Sequence, residues 1–513
     1  MRASSPASWI AVLSLVAACT DDATTTTATP TTTGGAIGSS TTTTGTSEGQ
    51  DTTTGTTAAT TATSGGEDPT TSGTTVAGTT SGGVDDSTTG FDDSTSTGEP
   101  EEPLLPGCGD TPPADFDAVP SAPADGATIA GATTELAVTL SGQILADATA
   151  KFHLREVHEL SDDDDFTIVI MPDTQNYTQF PGNFPQYQDQ TKWVWEHRNT
   201  DRIVAVLHNG DVVQHGNQIE LEWQRAQTAM TTLETEKPNF PDGIPYGIAV
   251  GNHDNGAHAH DNKPFGTGLF NKYFGVKRFE KRGYYGGHYG SKNDNNWIVV
   301  QAGNLEVVMV SLEYRGDLGQ DPDVLQWARG VFKDHPHALG IVNSHHIVRA
   351  DGGFSGEGKQ IYEAMKTVDN VQLMTSGHIK EFRNRRTDNH KGHVIHSMLA
   401  DYQDLIIGAE DCAGGCGYMR LWRFSPKKNQ LKVETFSPTL NKSMTGPKEQ
   451  FTLTVDLSAA TGVFELKGSI SGPGPALAFA AEGLKPGTSY EWYAVVNECG
   501  AKVKTPVQTF KVQ

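Results

Sequence analysis

Apolar runs recur along the middle of the chain, and several stop abruptly in polar residues. Those at 167–171, 203–208, 246–250, 305–312, 339–343 and 371–375 are rich in Ile, Val and Leu and predict buried strands. Between them, helical spacing of apolar positions predicts helices over 188–198, 219–233, 323–334 and 357–367. Strand alternating with helix predicts an α/β domain with covered sheets. Three later runs, HVIHSML, YMRLWRF and QLKVETF, follow without helices and predict antiparallel additions to a sheet. ELAVTLSG and AKFHLREV, before residue 161, read as short strands of an all-β module. Near the C-terminus a Pro-Gly turn leads into SYEWYAVV, which alternates like a half-buried strand. Taken alone, 458–513 holds few strands for a sandwich. The strands at 108–160 would complete it, with the α/β domain inserted between two halves; two separate β pieces are the alternative.

Composition divides the chain further. Thr, Ser and Gly dominate 20–107, which predicts a disordered tether, because so few apolar residues cannot offset chain entropy. Thirteen Asp and Glu fall in that stretch, about half of the net charge of −24, so the charge says little about the folded part. It argues against nucleic-acid binding through a basic surface. Residues 1–19, MRASSPASWIAVLSLVAAC, have the basic start, short apolar core and small residues of a secretory signal. VAAC resembles a bacterial lipobox, which implies export across the inner membrane and a lipid on Cys19, anchoring the protein to a membrane or cell surface. An ordinary signal peptide is the alternative.

With Cys19 set aside, four cysteines remain for an oxidising compartment. Cys412 and Cys416, in DCAGGCG, are close enough for a local bridge, and Cys108 would then pair with Cys499. A four-thiol zinc site is disfavoured, because the spacing lacks paired CxxC knuckles.

The polar ends of the apolar runs carry the candidate chemistry. PDTQ places Asp173 and Gln175, NGD places Asp211, and GNHD places Asn252, His253 and Asp254. SHH places His345 and His346, and SGH places His378. Oxygen and imidazole donors at successive strand ends point to a metal site, because ligands of open α/β sheets bind beyond the strands' carboxyl ends. This ordered set resembles the calcineurin-like metallophosphoesterases, whose pattern runs D-x-H, G-D, G-N-H-(D/E), H and G-H-x-H. MPDTQNY, ADYQD and the run into FSPTL look like a bacterial branch with Gln in the first motif. The resemblance spans 166–457, within an expected domain at 161–457, and implies a four-layer β-sandwich flanked by helices. The segment at 458–513 resembles the last strands of a fibronectin type III or immunoglobulin-like module.

The resemblance also implies roles. Asp211 would bridge two metal ions, with Asn252, His345 and His378 completing one site and Asp173 and Gln175 holding the other. His345 rather than His346 is the expected ligand. His253, oriented by Asp254, would act as general acid while a metal-bound hydroxide attacks phosphorus. Mixed donors suit Mn, Fe, Zn or Co. Gln175 and Lys380 stand where the family has His, so one ion would be firm and the second weak. Lys380 and His215 would instead contact a small phosphorylated substrate, a phosphomonoester or phosphodiester. A non-catalytic, metal-containing surface binding protein with a degenerate site is the competing reading. His208, the aromatics of KWVWEHR and the tyrosines of GYYGGHYG read as packing residues, and RNRR reads as a basic turn.

Overall fold

Alternating Ile and Val side chains give the central strands two apolar faces, and both are covered. The computed structural model describes residues 108, 113, 115–144, 146–256, 266–316, 319–403 and 415–513. The expected signal segment, the tether, Cys19 and Cys412 lie outside the described residues.

Two seven-stranded sheets form the centre. In the first, Phe166–Met171, Ile203–His208 and Tyr246–Ile248 run parallel, and Met419–Ser425 pairs antiparallel with Phe166–Met171. Gln430–Ser437 and Lys442–Met444 extend it, with Phe451–Thr454 beside Gln430–Ser437. In the second, Leu305–Leu312, Leu339–Ser344, Val371–Ser376 and His393–Ala400 run parallel. Asn296–Ala302, Tyr285–His288 and Arg383–His390 add antiparallel edges.

Strand alternation sets the layers. Val307 and Met309 enter the core shared with Ile168, Leu207, Ile298 and Leu373. Their neighbours Val308 and Val310 face the other way, onto Val324, Phe332 and Ile361 of the helices Pro322–Asp334 and Gly356–Met365. The helices Phe184–His197 and Glu220–Met230 cover the first sheet through Tyr187, Val194, Trp223 and Ala226. Asp321 and Ser355 cap the two helices on the second sheet, each accepting a backbone N–H from the first turn.

Two sequence expectations need correction. HVIHSML lies within His393–Ala400, which runs parallel to Val371–Ser376, because the strand Arg383–His390 intervenes as an antiparallel edge. RNRR is therefore the start of a strand and not a turn. Its charges are absorbed locally: Arg383 meets Glu449 at 2.6 Å and Arg386 meets Asp388 at 2.6 Å.

Both ends of the described chain build one further β module. Asp117–Ala122, Thr133–Ser141 and Ala476–Glu482 form a three-stranded sheet. Ala148–Val157 pairs with both Glu465–Gly472 and Ser489–Glu498 in a second sheet. Leu136, Val138, Phe152, Leu477 and Trp492 fill the space between them. A disulfide joins Cys108 to Cys499 across a sequence separation of 391. Cys416 is also disulfide-bonded. Among the described residues, no helix is long and apolar enough to cross a membrane.

Candidate metal centre

The parallel strands of both sheets deliver their carboxyl ends to one edge. Tight turns then fold the polar residues back over that edge. Gly210 (φ 95°) and Asp211 (φ 48°) are both left-handed, and so is His378 (φ 74°). For Asp and His this conformation costs on the order of 1–3 kcal/mol, the kind of strain held at functional sites. Close approach explains the neighbouring glycines. A Cβ on Gly251 would lie 2.1 Å from Asp211 Oδ1, and one on Gly377 would lie 2.0 Å from Asp173 Oδ1.

Four expected ligands converge on one point. His345 Nε2 lies 3.0 Å from Asn252 Oδ1, 3.3 Å from Asp211 Oδ2 and 3.0 Å from His378 Nδ1. The donor atoms of Asp211, His345 and His378 all fall within 4.8 Å of one another. Neighbouring donors on a transition ion bonded at about 2.0–2.2 Å are themselves about 3 Å apart, so the set fits such an ion. The tautomer fits too. The Asn209 carbonyl accepts the Nδ1–H of His345 at 2.9 Å, which leaves the Nε2 lone pair turned to the other donors. His346 is not in this set. Its ring lies tilted, 4.4 Å from that of His378, and its Nε2 is buried without a hydrogen-bond partner.

Asp173 and Gln175 sit alongside. The backbone N–H of His378 donates to Asp173 Oδ2 at 3.0 Å. Gln175 is fully buried; its Nε2 donates to Gln403 Oε1 at 2.7 Å, and its Oε1 has no hydrogen-bond partner. Two residues given no role by the sequence reading, Asp401 and Gln403, complete this side. They follow His393–Ala400 directly, and the parallel direction of that strand brings them to the edge. The strand-tip signal that found the other donors was present in ADYQD. Expecting an antiparallel strand hid it.

Charge at the edge is concentrated and buried. Burial raises the Asp173 carboxyl well above its ordinary value, and the charges of Asp401 and Asp211 push it further. Burial lifts Asp401 to about 7. Burial, then the charge of Asp211, lifts Asp254 to about 7. Burial acts on Asp211 in the same sense, but the charges of His345 and His253 win and hold it well below the carboxylate range. Burial and the neighbouring His345 and His346 hold His378 neutral.

His253 stands beside the donors, its Nε2 4.0 Å from Asp211 Oδ2 and its backbone N–H bonded to Asp211 Oδ1 at 2.9 Å. Its ring is oriented by the Gln214 carbonyl, 3.0 Å from Nδ1, and not by Asp254. The Asp254 carboxylate accepts instead from the N–H groups of Gly251 and Val213, at 2.8 and 3.1 Å. It thus ties the Asn252 loop to the Asp211 loop. His215 gives its Nδ1 to Glu222 Oε1 at 2.8 Å, and Lys380 is exposed. Tyr314, which the sequence reading did not single out, packs its ring 5.3–6.1 Å from those of His345, His346 and His378.

Residues 166–382 match the calcineurin-like phosphoesterase family, Metallophos. This stretch is a calcineurin-like phosphoesterase domain. The chain is also 31% identical over 380 residues to the uncharacterized protein YvnB of Bacillus subtilis (strain 168). That alignment covers 68% of this chain and 27% of the relative, so the chain spans little more than a quarter of YvnB. The family's metal dependence agrees with the donor set of the phosphoesterase domain, in which Asp211, His345 and His378 could hold an ion. Its sheet continues past the matched residues, through Met419–Ser425 and Gln430–Ser437.

Proposed function

We propose that the protein is an extracytoplasmic, lipid-anchored phosphoesterase that hydrolyses phosphomonoesters or phosphodiesters. The observation that carries the reading is the convergence of Asp211, Asn252, His345 and His378 beside His253. Divalent ions such as Mn, Fe, Zn or Co, held there, would neutralise the phosphate and supply an activated water.

The chain's own groups do the rest. Asp211 fixes the His253 backbone through the N–H it accepts. The Gln214 carbonyl takes the Nδ1–H, so Nε2 is the ring atom left to carry the transferable proton. Nε2–H then donates to the leaving-group oxygen as a general acid. With 17% of its side chain accessible, the imidazole is within reach of a bound ester.

The Cys108–Cys499 bridge supports an oxidising compartment, and the signal-like residues 1–19 support export. The two-sheet module is taken as a fibronectin type III-like accessory. The test is hydrolysis of nitrophenyl phosphate and bis-nitrophenyl phosphate with added Mn or Zn. Turnover that disappears in Asp211→Asn supports the reading. No turnover with any ion overturns it in favour of a binding protein. Separately, Cys19→Ser should release the protein from the membrane fraction; retention there would refute the anchor.

A further inference from the structure

We infer that the chain builds its second cation site from oxygen donors alone, with Asp401 as a ligand and Gln403 as the residue that aims Gln175. The inference rests on the reading above that this edge binds metal. Gln175 and the exposed Lys380 stand where two imidazoles would be expected, so the site needs another donor. Asp401 supplies it. It is fully buried, it reaches the edge from a strand parallel to the one that delivers His378, and one amide nitrogen, Gln403 Nε2, lies within 3.5 Å of both its carboxylate and that of Asp173.

The hydrogen-bond directions then follow in sequence. Gln403 sends its own backbone N–H to Asp401 Oδ1 at 2.9 Å. Its side-chain Nε2 faces two carboxylates, at 3.2 Å from Asp401 Oδ2 and at a long 3.5 Å from Asp173 Oδ2. Carboxylate oxygens accept, so the amide nitrogen of Gln403 must point at them. Its Oε1 is therefore turned away, to receive the Nε2–H of Gln175 at 2.7 Å. That bond in turn fixes the amide of Gln175, and its Oε1 is left a buried acceptor with no donor. Flipping either amide would set oxygen against oxygen. A cation is the partner that such an oxygen lacks.

Charge argues the same way. Asp173, Asp211 and Asp401 are each at most 3% exposed. Among the described residues, no Lys or Arg forms an ion pair with any of them. Asp211 faces His345 and His253 at 3.3 and 4.0 Å; Asp173 and Asp401 have no such ion-pair partner among the described residues, and buried carboxylates without one call for a bound cation. An all-oxygen set of carboxylates and an amide suits a hard ion such as Mg2+ or Mn2+, whereas the site at His345 and His378 suits a softer one. Gln403 touches no ion in this arrangement; it is a positioning residue.

The experiment is calorimetric titration of the chelator-stripped full chain with Mn2+, with Zn2+ bound beforehand at the histidine side. Wild type is expected to take up one further ion, and Asp401→Asn to lose that uptake while keeping the Zn2+. Gln175→Ala and Gln403→Ala should each weaken the Mn2+ by about tenfold or more, the size of effect seen around metal ligands. Their double variant should be no weaker than the worse single, because both act through one oxygen. Asp401→Asn that binds Mn2+ as wild type does would overturn the inference. So would wild type that takes Zn2+ but no Mn2+, which leaves the proposed function standing. Wild type that binds neither ion defeats the proposed function itself. Should Asp401→Asn not fold, Gln175→His carries the test. It should shift the second site's preference from Mn2+ toward Zn2+ by about tenfold or more, and unchanged preference would refute the oxygen-only site.

Discussion

The backbone N–H of His378 donates to Asp173 Oδ2 across 3.0 Å, joining residues 205 positions apart. Each thereby positions the other. Gly377 makes the contact possible, because a Cβ there would lie 2.0 Å from Asp173 Oδ1. Gly377→Ala is expected to displace the carboxylate and the imidazole together. Metal affinity, read by titration of the stripped protein, should fall about 10–100-fold, as when a ligand's support is removed. Unchanged affinity would mean that the pair does not set the site.

Asp211 is asked to do two things, to face the His345 and His378 donors and to hold the His253 backbone. Asp211→Asn keeps an acceptor for that N–H but removes the charge. We expect kcat/KM to fall on the order of a thousandfold, several kcal/mol of lost charge stabilisation. The unfolding midpoint in chelator should fall, since Asn removes the charge that His345 and His253 stabilise and leaves those imidazoles without their partner. Unchanged kcat/KM would remove Asp211 from the reacting site.

Much of this site could be read from the chain because an apolar strand that ends in Asp, Asn or His is unusual on packing grounds alone. The runs ending in Asp173, Asp211, Asn252, His345 and His378 each carried that local signal. What stayed hidden was pairing. Gln175 and Gln403 are 228 residues apart and meet only because His393–Ala400 lies parallel to its neighbour. No local pattern states strand direction once the connecting segment itself becomes a strand, as Arg383–His390 does. The orienting partner of His253 was hidden for a different reason. Gln214 acts through its backbone carbonyl, so its side-chain identity carries no trace of the role.

His253 gives a prediction that separates acid catalysis from binding. With the Gln214 carbonyl on Nδ1, Nε2 is positioned to protonate the departing oxygen. His253→Gln should lower kcat about 10²–10⁴-fold on alkyl phosphates, whose leaving groups need a proton. Nitrophenyl esters leave readily as anions, so their loss should be much smaller. Equal losses on both substrates, or a change in KM alone, would assign His253 to substrate binding.

His208 ties the first two motif loops together and should make the fold sensitive to acid. Its Nδ1 accepts the Gly210 N–H at 3.2 Å, and its Nε2–H donates to Thr174 Oγ1 at 3.0 Å. Both bonds need the neutral ring. Burial, then the charge of His345, lowers its pKa to about 3 from an ordinary 6.5. Below pH 6.5 the unfolded chain takes up a proton that the folded ring refuses, so stability falls with pH down to about 3 and is full above 6.5. From pH 6.5 to 5 the loss is about 1.5 × 1.36, or roughly 2 kcal/mol. Asp254 and Asp401, raised to about 7, act in the opposite sense between their ordinary range and 7, so the total slope mixes signs. The comparison with His208→Gln, which keeps a donor and an acceptor but cannot titrate, isolates the histidine. Urea unfolding in chelator at pH 7 and pH 5 should show the wild type losing about 2 kcal/mol more than the variant. Equal losses would mean that His208 already carries its proton in the folded protein, and that Gly210 and Thr174 are held by something else.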